Sequence, residues 1–157
     1  MTKTNAMRIL DSAKIKYEVF TYDTKDGALD GVSVARKTGN DPDAVFKTLV
    51  TESPSRNNYV FVIPVGNELD LKLCAKACGE KSIAMIKQAK LLPLTGYVHG
   101  GCTVMGMKKP FPVYLDESAL LLDKLIVSAG KVGMQLKLSV DDYIRITNAE
   151  TADLTAK

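Results

Sequence analysis

The chain has 157 residues, of which 46% are hydrophobic and 25% charged, and its 21 Lys and Arg against 18 Asp and Glu give a net charge of +3. This composition is typical of a folded globular protein and excludes a chain that is disordered along its length. The positive charge is too small to indicate nucleic-acid binding by itself, although it would not repel a polyanion.

Segments with helical hydrophobic spacing follow segments with strand-like alternation along the chain. The boundaries of the predicted helices and strands are good to a few residues. Apolar residues at helical spacing, or a capping residue before an apolar run, predict helices at 4–13, 32–38, 70–78, within 85–92, at 117–121 and at 139–146. Alternating or continuous apolar runs predict strands at 17–22, 45–50, 59–64, 113–116, 125–128 and 134–138. The polar residues 149–157 are expected to fray. The pattern predicts a mixed α/β domain whose strands are often joined by hairpins.

Length and hydrophobic patterning also bear on domain count and compartment. A chain of this length can bury a sizeable core without disulfides or metal ions, so we expect a single domain over residues 1–157. The longest apolar stretch, residues 59–65, is too short to cross a bilayer, and residues 1–5 lack the apolar core of a signal peptide. We therefore expect a cytoplasmic protein that makes no membrane contact.

Lys47 interrupts an apolar run that otherwise predicts a buried strand, Val45-Phe46-Lys47-Thr48-Leu49-Val50. A buried ammonium group needs a counter-charge, loses its proton, or faces a cleft for an anionic or polar ligand. The alternative is an edge strand from which Lys47 extends to water, since alternation separates its face from that of Phe46 and Thr48. This segment alone leaves both interpretations open.

The three cysteines predict free thiols, because an odd number at uneven spacing makes a poor disulfide framework. Cys74 and Cys78 share one face of a predicted helix, and with His99 and Cys102 they form a conceivable zinc set. Structural zinc sites more often take their ligands as close pairs from tight turns. We therefore expect a chain without metal or other cofactor and keep zinc as an alternative.

Two glycine-rich segments follow in the second half of the chain, residues 95–106 and residues 128–133. The first includes Gly100 and Gly101, whose backbone could approach a ligand and present amide donors, but a structural loop that requires positive φ explains it as well. It contains neither a phosphate-loop nor a dinucleotide motif. The second segment predicts a tight connection between two strands, with Lys131 pointing at water as the simpler interpretation.

Catalytic side chains are scarce. A Ser-His-Asp or Cys-His device would have to use His99, the single histidine, and the nearest nucleophile, Cys102, lies in the same loop. Residues so close in one loop seldom reach the geometry of a proton relay. The pair Asp141-Asp142 is better explained as favourable charge at a helix N-terminus than as an acid–base pair.

Three segments, taken together and in order, match a known pattern: residues 45–49 around Lys47, residues 95–106, and residues 128–133. This set resembles the YbaK/EbsC family of aminoacyl-tRNA deacylases, which is related to the editing insertion of bacterial prolyl-tRNA synthetase. The resemblance covers nearly the whole chain. It implies a YbaK/aminoacyl-tRNA synthetase-associated α/β domain with a curved, mixed, mostly antiparallel sheet surrounded by helices. The implied activity is trans-editing, the removal of cysteine wrongly attached to proline tRNA.

The resemblance also implies roles for particular residues. Lys47 would be a catalytic cation that holds a phosphate, a ribose or the ester oxygen, and the backbone of Gly100, with Gly101, would stabilise the oxyanion. The implied substrate-binding residues are Tyr22, Leu29, Asp30, Gly101, Ser128 and Gln135. In such a site the thiol of the substrate attacks its own ester carbonyl, so the protein orients and stabilises without a nucleophile of its own. The implied partners are the acceptor end of aminoacylated proline tRNA and prolyl-tRNA synthetase.

Several positions depart from the family pattern. Leu29 replaces a usual aromatic residue, Ala129 and Val132 alter the usual turn, and Gln135 replaces a frequent acid; the proline often found within 102–106 is missing. These changes leave the amino acid open between cysteine, alanine and another small residue, since a pocket distinguishes one methylene by only about 1–3 kcal/mol. A non-catalytic module that binds aminoacyl-tRNA or a synthetase remains the alternative function.

Overall fold

The computed structural model describes residues 2–157, which form five α-helices, three short 3-10 helices and eight strands. The α-helices are α1 (Asn5–Ser12), α2 (Gly31–Thr38), α3 (Leu71–Cys78), α4 (Leu91–Thr95) and α5 (Val140–Thr147). The strands are β1 (Glu18–Thr21), β2 (Phe46–Glu52), β3 (Asn58–Pro64), β4 (Ala84–Met85), β5 (Val113–Asp116), β6 (Lys124–Lys131), β7 (Met134–Ser139) and β8 (Glu150–Ala152). The 3-10 helices are Pro42–Ala44, Gln88–Lys90 and Glu117–Leu121. None of the described helices combines the length and apolar character that crossing a membrane requires.

The strands form two hydrogen-bonded groups that one bridge connects. The smaller group has the order β1-β7-β6, and both of its pairings are antiparallel. The larger group has the order β4-β2-β3-β5-β8, with β2 antiparallel to its neighbours and the β3–β5 and β5–β8 pairs parallel. A parallel bridge between Val45 and Ile126 joins the start of β2 to β6. The predicted mixed, mostly antiparallel sheet with helices around it is confirmed.

Both faces of the sheet carry buried clusters, because alternate residues of its strands pack against different helices. On one face Val62 of β3 belongs to the main core cluster, together with Leu10 of α1 and Tyr143 of α5. On the opposite face Ile63 of β3 packs with Cys74 of α3. The two faces therefore hold separate clusters, and the helices that cover them are not the same.

The predicted helix within residues 85–92 is wrong in its position. Met85 lies in β4, where it pairs with Thr51 of β2, and the helical turns begin only at Gln88 and continue as α4. Pro93 is accommodated because it falls in the first turn of α4, where its missing N–H breaks no helical bond. The apolar spacing of this stretch could not reveal a strand of two residues whose partner is remote in sequence.

The predicted fraying of residues 149–157 is also wrong. β8 pairs in parallel with β5, and Leu154 after it is completely buried against α3 and β3. The buried carboxylate of Asp116 accepts the N–H of Leu154 at 3.0 Å and that of Ser118 at 3.2 Å. The segment is polar in composition, but its backbone completes the sheet and its one large apolar residue fills the core.

Truncation of Leu154 is expected to destabilise the protein strongly. Leu154→Ala should lower the free energy of unfolding by about 3 kcal/mol, because it leaves a cavity in a closed cluster. Leu121→Ala removes the same atoms from a side chain that is 90% exposed, and should change stability by less than about 0.5 kcal/mol. Urea titration of both variants checks this, and equal midpoints would contradict the packing described for Leu154.

Candidate functional site

The junction of β2 and β6 brings two of the predicted site residues together. Val45 and Ile126 form the bridge between the two strands and pack with Ala35 of α2. Two residues beyond the bridge on each strand, Lys47 and Ser128 point to the same face of the sheet as the bridging pair. The bridge therefore brings Lys47 and Ser128 to one face of the sheet at the same junction, although they are far apart in the chain.

The same face continues across β7 and β1. Ser128 is paired with Gln135, and Gln135 is paired in turn with Phe20, so the three side chains project from one face. Tyr22 follows two positions after Phe20, and its N–H donates to the carbonyl of Gly133 at 3.0 Å. We call Lys47, Ser128 and Gln135 the polar row, and Phe20 lies beside Gln135 on the same face. Phe20 was not predicted, although its alternation with Tyr22 placed it on the same face.

Lys47 lies in a gap between two apolar clusters. Val45, two residues before it, packs under α2, and Leu49, two residues after it, packs under α3. The predicted alternative of an edge strand is wrong, because β3 pairs along all of β2 on one side, while β4 and the bridge to β6 flank the other. Lys47 is half-buried and forms no ion pair with any residue from 2 to 157. The site thus contains a cation that lacks a counter-charge in the described part of the chain.

Ser128 is held by a β-bulge. The register between β6 and β7 shifts after Ser128, and Gly130 takes up the irregularity with φ of 96°. The Gly130 N–H donates to the Ser128 hydroxyl oxygen at 3.1 Å. This contact fixes the oxygen and leaves the hydroxyl proton able to donate to a ligand.

Gln135 supplies an unsatisfied acceptor. Its side chain is only 8% exposed, and its Oε1 atom is buried without a hydrogen-bond partner in the described part of the chain. A buried acceptor left unpaired costs about 1–3 kcal/mol, which a donor on a bound ligand would recover. The position suits recognition of an N–H or O–H group beside Ser128.

The two glycine-rich segments contact each other at the β6–β7 turn, which follows Ser128 along β6. A methyl group built on Gly101 would lie 3.0 Å from the Val132 nitrogen and 3.2 Å from the Lys131 carbonyl carbon, so the loop packs directly on the β6–β7 turn. Gly100 is exposed and has φ of 85°, a conformation that favours glycine. The predicted need for positive φ in this loop is confirmed at Gly100.

The two glycine amides differ in availability. The Gly101 N–H donates to the carbonyl of Val98 at 3.0 Å, so it is not free to bind an oxyanion. The Gly100 N–H has no acceptor among the residues that the structure describes. The implied role as oxyanion donor can therefore be kept for Gly100 alone, and Gly101 has the separate function of allowing close packing.

Leu29 and Asp30 lie outside the polar row, at the start of α2. The Asp30 carboxylate caps this helix, accepting the Ser33 N–H at 3.1 Å and the Ser33 hydroxyl at 2.6 Å. Leu29 is 40% exposed. The structure gives Asp30 a capping role, which the sequence reasoning missed even though an Asp before a helix is a common signal.

Lys37 organises the loop between β1 and α2, a role that was also missed. Its ammonium group donates to Asp26 Oδ1 at 2.7 Å and to the carbonyls of Asp23 and Ala28 at 2.8 and 2.9 Å. These three acceptors use all three N–H groups of the lysine. The loop that connects Tyr22 to Leu29 is thereby fastened to α2.

Replacing Lys37 should loosen this loop. In Lys37→Met, the amides of residues 27–29 are expected to exchange with solvent severalfold faster, because the three hydrogen bonds that fasten the loop to α2 are lost. Lys37 lowers the pKa of Asp26 by hydrogen bonding to it. The ion pair therefore contributes above the ordinary carboxyl range and is lost as pH falls through the lowered pKa, so the difference from wild type should shrink in acid.

Hydrogen exchange read by mass spectrometry at matched pH checks this. Lys76→Met is the matched control, because Lys76 lies exposed on α3 and forms none of the ion pairs in the described structure. Exchange in residues 27–29 that is the same in wild type and Lys37→Met would contradict the fastening role.

The cysteines do not form the zinc set considered from the sequence. Cys74 of α3 packs against Ile63 of β3, and Cys102 packs in the main core on the opposite face of the sheet. Burial raises the pKa of each of these thiols to about 12, so neither is a thiolate nucleophile at neutral pH. Residues 2–157 contain no cluster of three metal-ligating side chains.

Two cavities lie away from the polar row. One of about 310 Å³ lies between α1, the loop at 104–113 and α5, and the other of about 340 Å³ lies beside β4. Neither is lined by Lys47, Ser128 or Gln135. The candidate site is defined by convergent polar groups on a sheet face and not by either of these cavities.

Comparisons with known proteins bear on this site. The model of the aminoacyl-tRNA editing domain family matches residues 28–146. A protein of Enterococcus faecalis, provisionally named a Cys-tRNA(Pro)/Cys-tRNA(Cys) deacylase, is 43% identical over 155 residues, which cover 99% of this chain and 94% of that protein.

Solved structures extend the likeness to the fold. A crystal structure described provisionally as a trans-editing enzyme for prolyl-tRNA synthetase matches with a TM-score of 0.84 at 21% identity, covering 100% of both chains. A hypothetical protein matches with a TM-score of 0.88 at 18% identity, covering 98% of this chain and 100% of its own. At these identities the structures support the fold alone.

Proposed function

Because the chain belongs to the aminoacyl-tRNA editing domain family, we propose that it is a trans-editing deacylase that releases cysteine from mischarged proline tRNA. The observation that carries the proposal is the half-buried Lys47, which has no counter-charge among residues 2–157 and shares one sheet face with Ser128 at the junction of β2 and β6. A cation in this setting is suited to an anionic or polar ligand. The extensive identity to a protein named for this activity supports the choice of substrate.

Each residue of the site would act on a different part of the aminoacyl ester. Lys47 would hold a phosphate or the ester oxygen at the acceptor end, and the free amide of Gly100 would stabilise the oxyanion. Ser128 would donate its hydroxyl proton to the substrate, and Gln135 Oε1 would accept from the α-ammonium group. Tyr22, Leu29 and Asp30 would border the amino-acid side, and Gly101 would keep the loop close to the turn.

The reaction would then need no protein nucleophile, which agrees with the buried, protonated thiols of Cys74 and Cys102. The substrate thiol attacks its own carbonyl carbon, the new C–S bond forms as the C–O bond to ribose breaks, and the thiol proton ends on the ribose hydroxyl. The released thiolactone hydrolyses in water. Orientation of the reacting atoms and charge stabilisation are the contributions of the protein.

The proposed activity implies a particular tRNA, a synthetase and a compartment. Proline tRNA would be the substrate, prolyl-tRNA synthetase would be the source of the mischarged product, and the cytoplasm, where tRNA is charged, would be the compartment. The provisional name of the E. faecalis relative includes both proline and cysteine tRNAs, so the tRNA body need not be the main determinant.

A deacylation assay on proline tRNA charged with cysteine, alanine or serine tests the proposal. We expect release to be fastest from the cysteine ester, because its thiol is a better internal nucleophile than the serine hydroxyl and the alanine side chain offers none. Preference for alanine would contradict the thiol mechanism and indicate a deacylase for another small amino acid. Retained tRNA binding without release from any ester would favour the binding module, for which Gln135 in place of an acid is the supporting observation.

A further inference from the structure

Two exposed lysines flank the loop around Gly100: Lys108 lies against Gly96, and Lys131 lies against Gly101. Lys108, on the side of Gly96, donates its backbone N–H to the carbonyl of Thr95 at 3.0 Å. Its aliphatic stem lies across Gly96, where an added methyl group would be 3.4 Å from Cγ and 3.5 Å from Cε of the lysine. The stem of Lys108 is therefore placed on the loop, and the residue is exposed to solvent.

Lys131, on the side of Gly101, is the last residue of β6. Its Cα and carbonyl carbon lie 3.3 and 3.2 Å from the position of a methyl group on Gly101, so its backbone is packed against the loop. Lys131 is exposed, like Lys108. The four ion pairs found among residues 2–157 use other cations, and neither of these lysines has a carboxylate partner there.

We propose that Lys108 and Lys131 bind backbone phosphates of the RNA strand that carries the ester, one on each side of the Gly100 loop. Two ammonium groups with no carboxylate partner among residues 2–157, beside an exposed glycine loop, suit a chain that carries one negative charge per nucleotide. Lys47 would act inside the site and these two lysines would act on the strand leading to it. The inference rests on the proposed function for the identity of the RNA, but its test does not require deacylation.

The experiment measures binding of uncharged, fluorescently labelled proline tRNA by anisotropy between 50 and 200 mM KCl. Each of Lys108→Gln and Lys131→Gln is expected to weaken binding about threefold to tenfold at 100 mM salt and to reduce the slope of log K against log salt by about 0.7–0.9. The double variant should lose about twice as much slope. Lys72→Gln, which removes an exposed lysine from α3, is the matched control and should behave as wild type.

Three results would overturn the proposal: no binding of tRNA by the wild-type protein, an unchanged slope in both variants, or an equal loss in Lys72→Gln. A wild-type protein that shows the expected slopes but cleaves no ester would overturn the proposed deacylase and leave the two phosphate contacts standing. The failure of the two proposals is thus distinguishable.

Discussion

Lys47→Met should reduce the rate of cysteine release from Cys-tRNA(Pro) by about 100- to 1,000-fold, the usual loss when one preorganised charge-stabilising group is removed from an active site. Methionine keeps an unbranched apolar side chain about as long as the lysine stem and removes the ammonium group. Because Lys47 has no protein partner among residues 2–157, its loss leaves no carboxylate unpaired, and the thermal midpoint should not fall.

Single-turnover release of labelled cysteine measures the effect, with Lys124→Met as the control. Lys124 begins β6, the strand that carries Ser128, but is exposed at the opposite end of that strand. Its replacement should leave release unchanged. Turnover by Lys47→Met at the wild-type rate would contradict a role for the cation in the reaction.

Gly101→Ala is expected to reduce kcat/KM at least tenfold and to lower the free energy of unfolding by about 1–3 kcal/mol. The added methyl group would meet backbone atoms of Lys131 and Val132 at 3.0–3.3 Å. A flexible side chain could change its rotamer to relieve such a contact, but these backbone atoms cannot. The loop would have to move away from the β6–β7 turn, carrying Gly100 with it.

Gly66→Ala provides a matched control for this substitution. A methyl group at Gly66 would find only Val32 Cγ2 at 3.9 Å, an ordinary contact, so both activity and stability should stay near wild type. Kinetics and urea titration of the two variants form the comparison. A Gly101→Ala protein with wild-type activity would show that close packing of the loop on the turn is not required.

The sequence predicted those elements whose signals are local. The β2–β3 hairpin, α3 with its glycine end and α5 with its Ser139 cap all follow from spacing and capping within a few residues. β4 and β8 escaped prediction, because two or three residues gain strand structure only from partners far along the chain. Their own side chains carry too little pattern to indicate pairing.

The site divides in a similar way. Lys47 was conspicuous as a charge in an apolar run, but Ser128 is brought to the same face by the Val45–Ile126 bridge, which no periodicity predicts. The order of the motifs and the family resemblance supplied that grouping. The engaged amide of Gly101 and the three oxygens held by Lys37 depend on loop conformation, and they became visible only in the structure.

The most direct test of the central claim, that the polar row receives the aminoacyl end, is a map of backbone amide chemical shifts. The ligand would be adenosine carrying cysteine through a stable 3′-amide in place of the ester. We expect the largest changes at Lys47, Gly100, Ser128 and Gln135. Changes confined to the cavity between α1 and α5, around Met105 and Phe111, would contradict the assignment of the site.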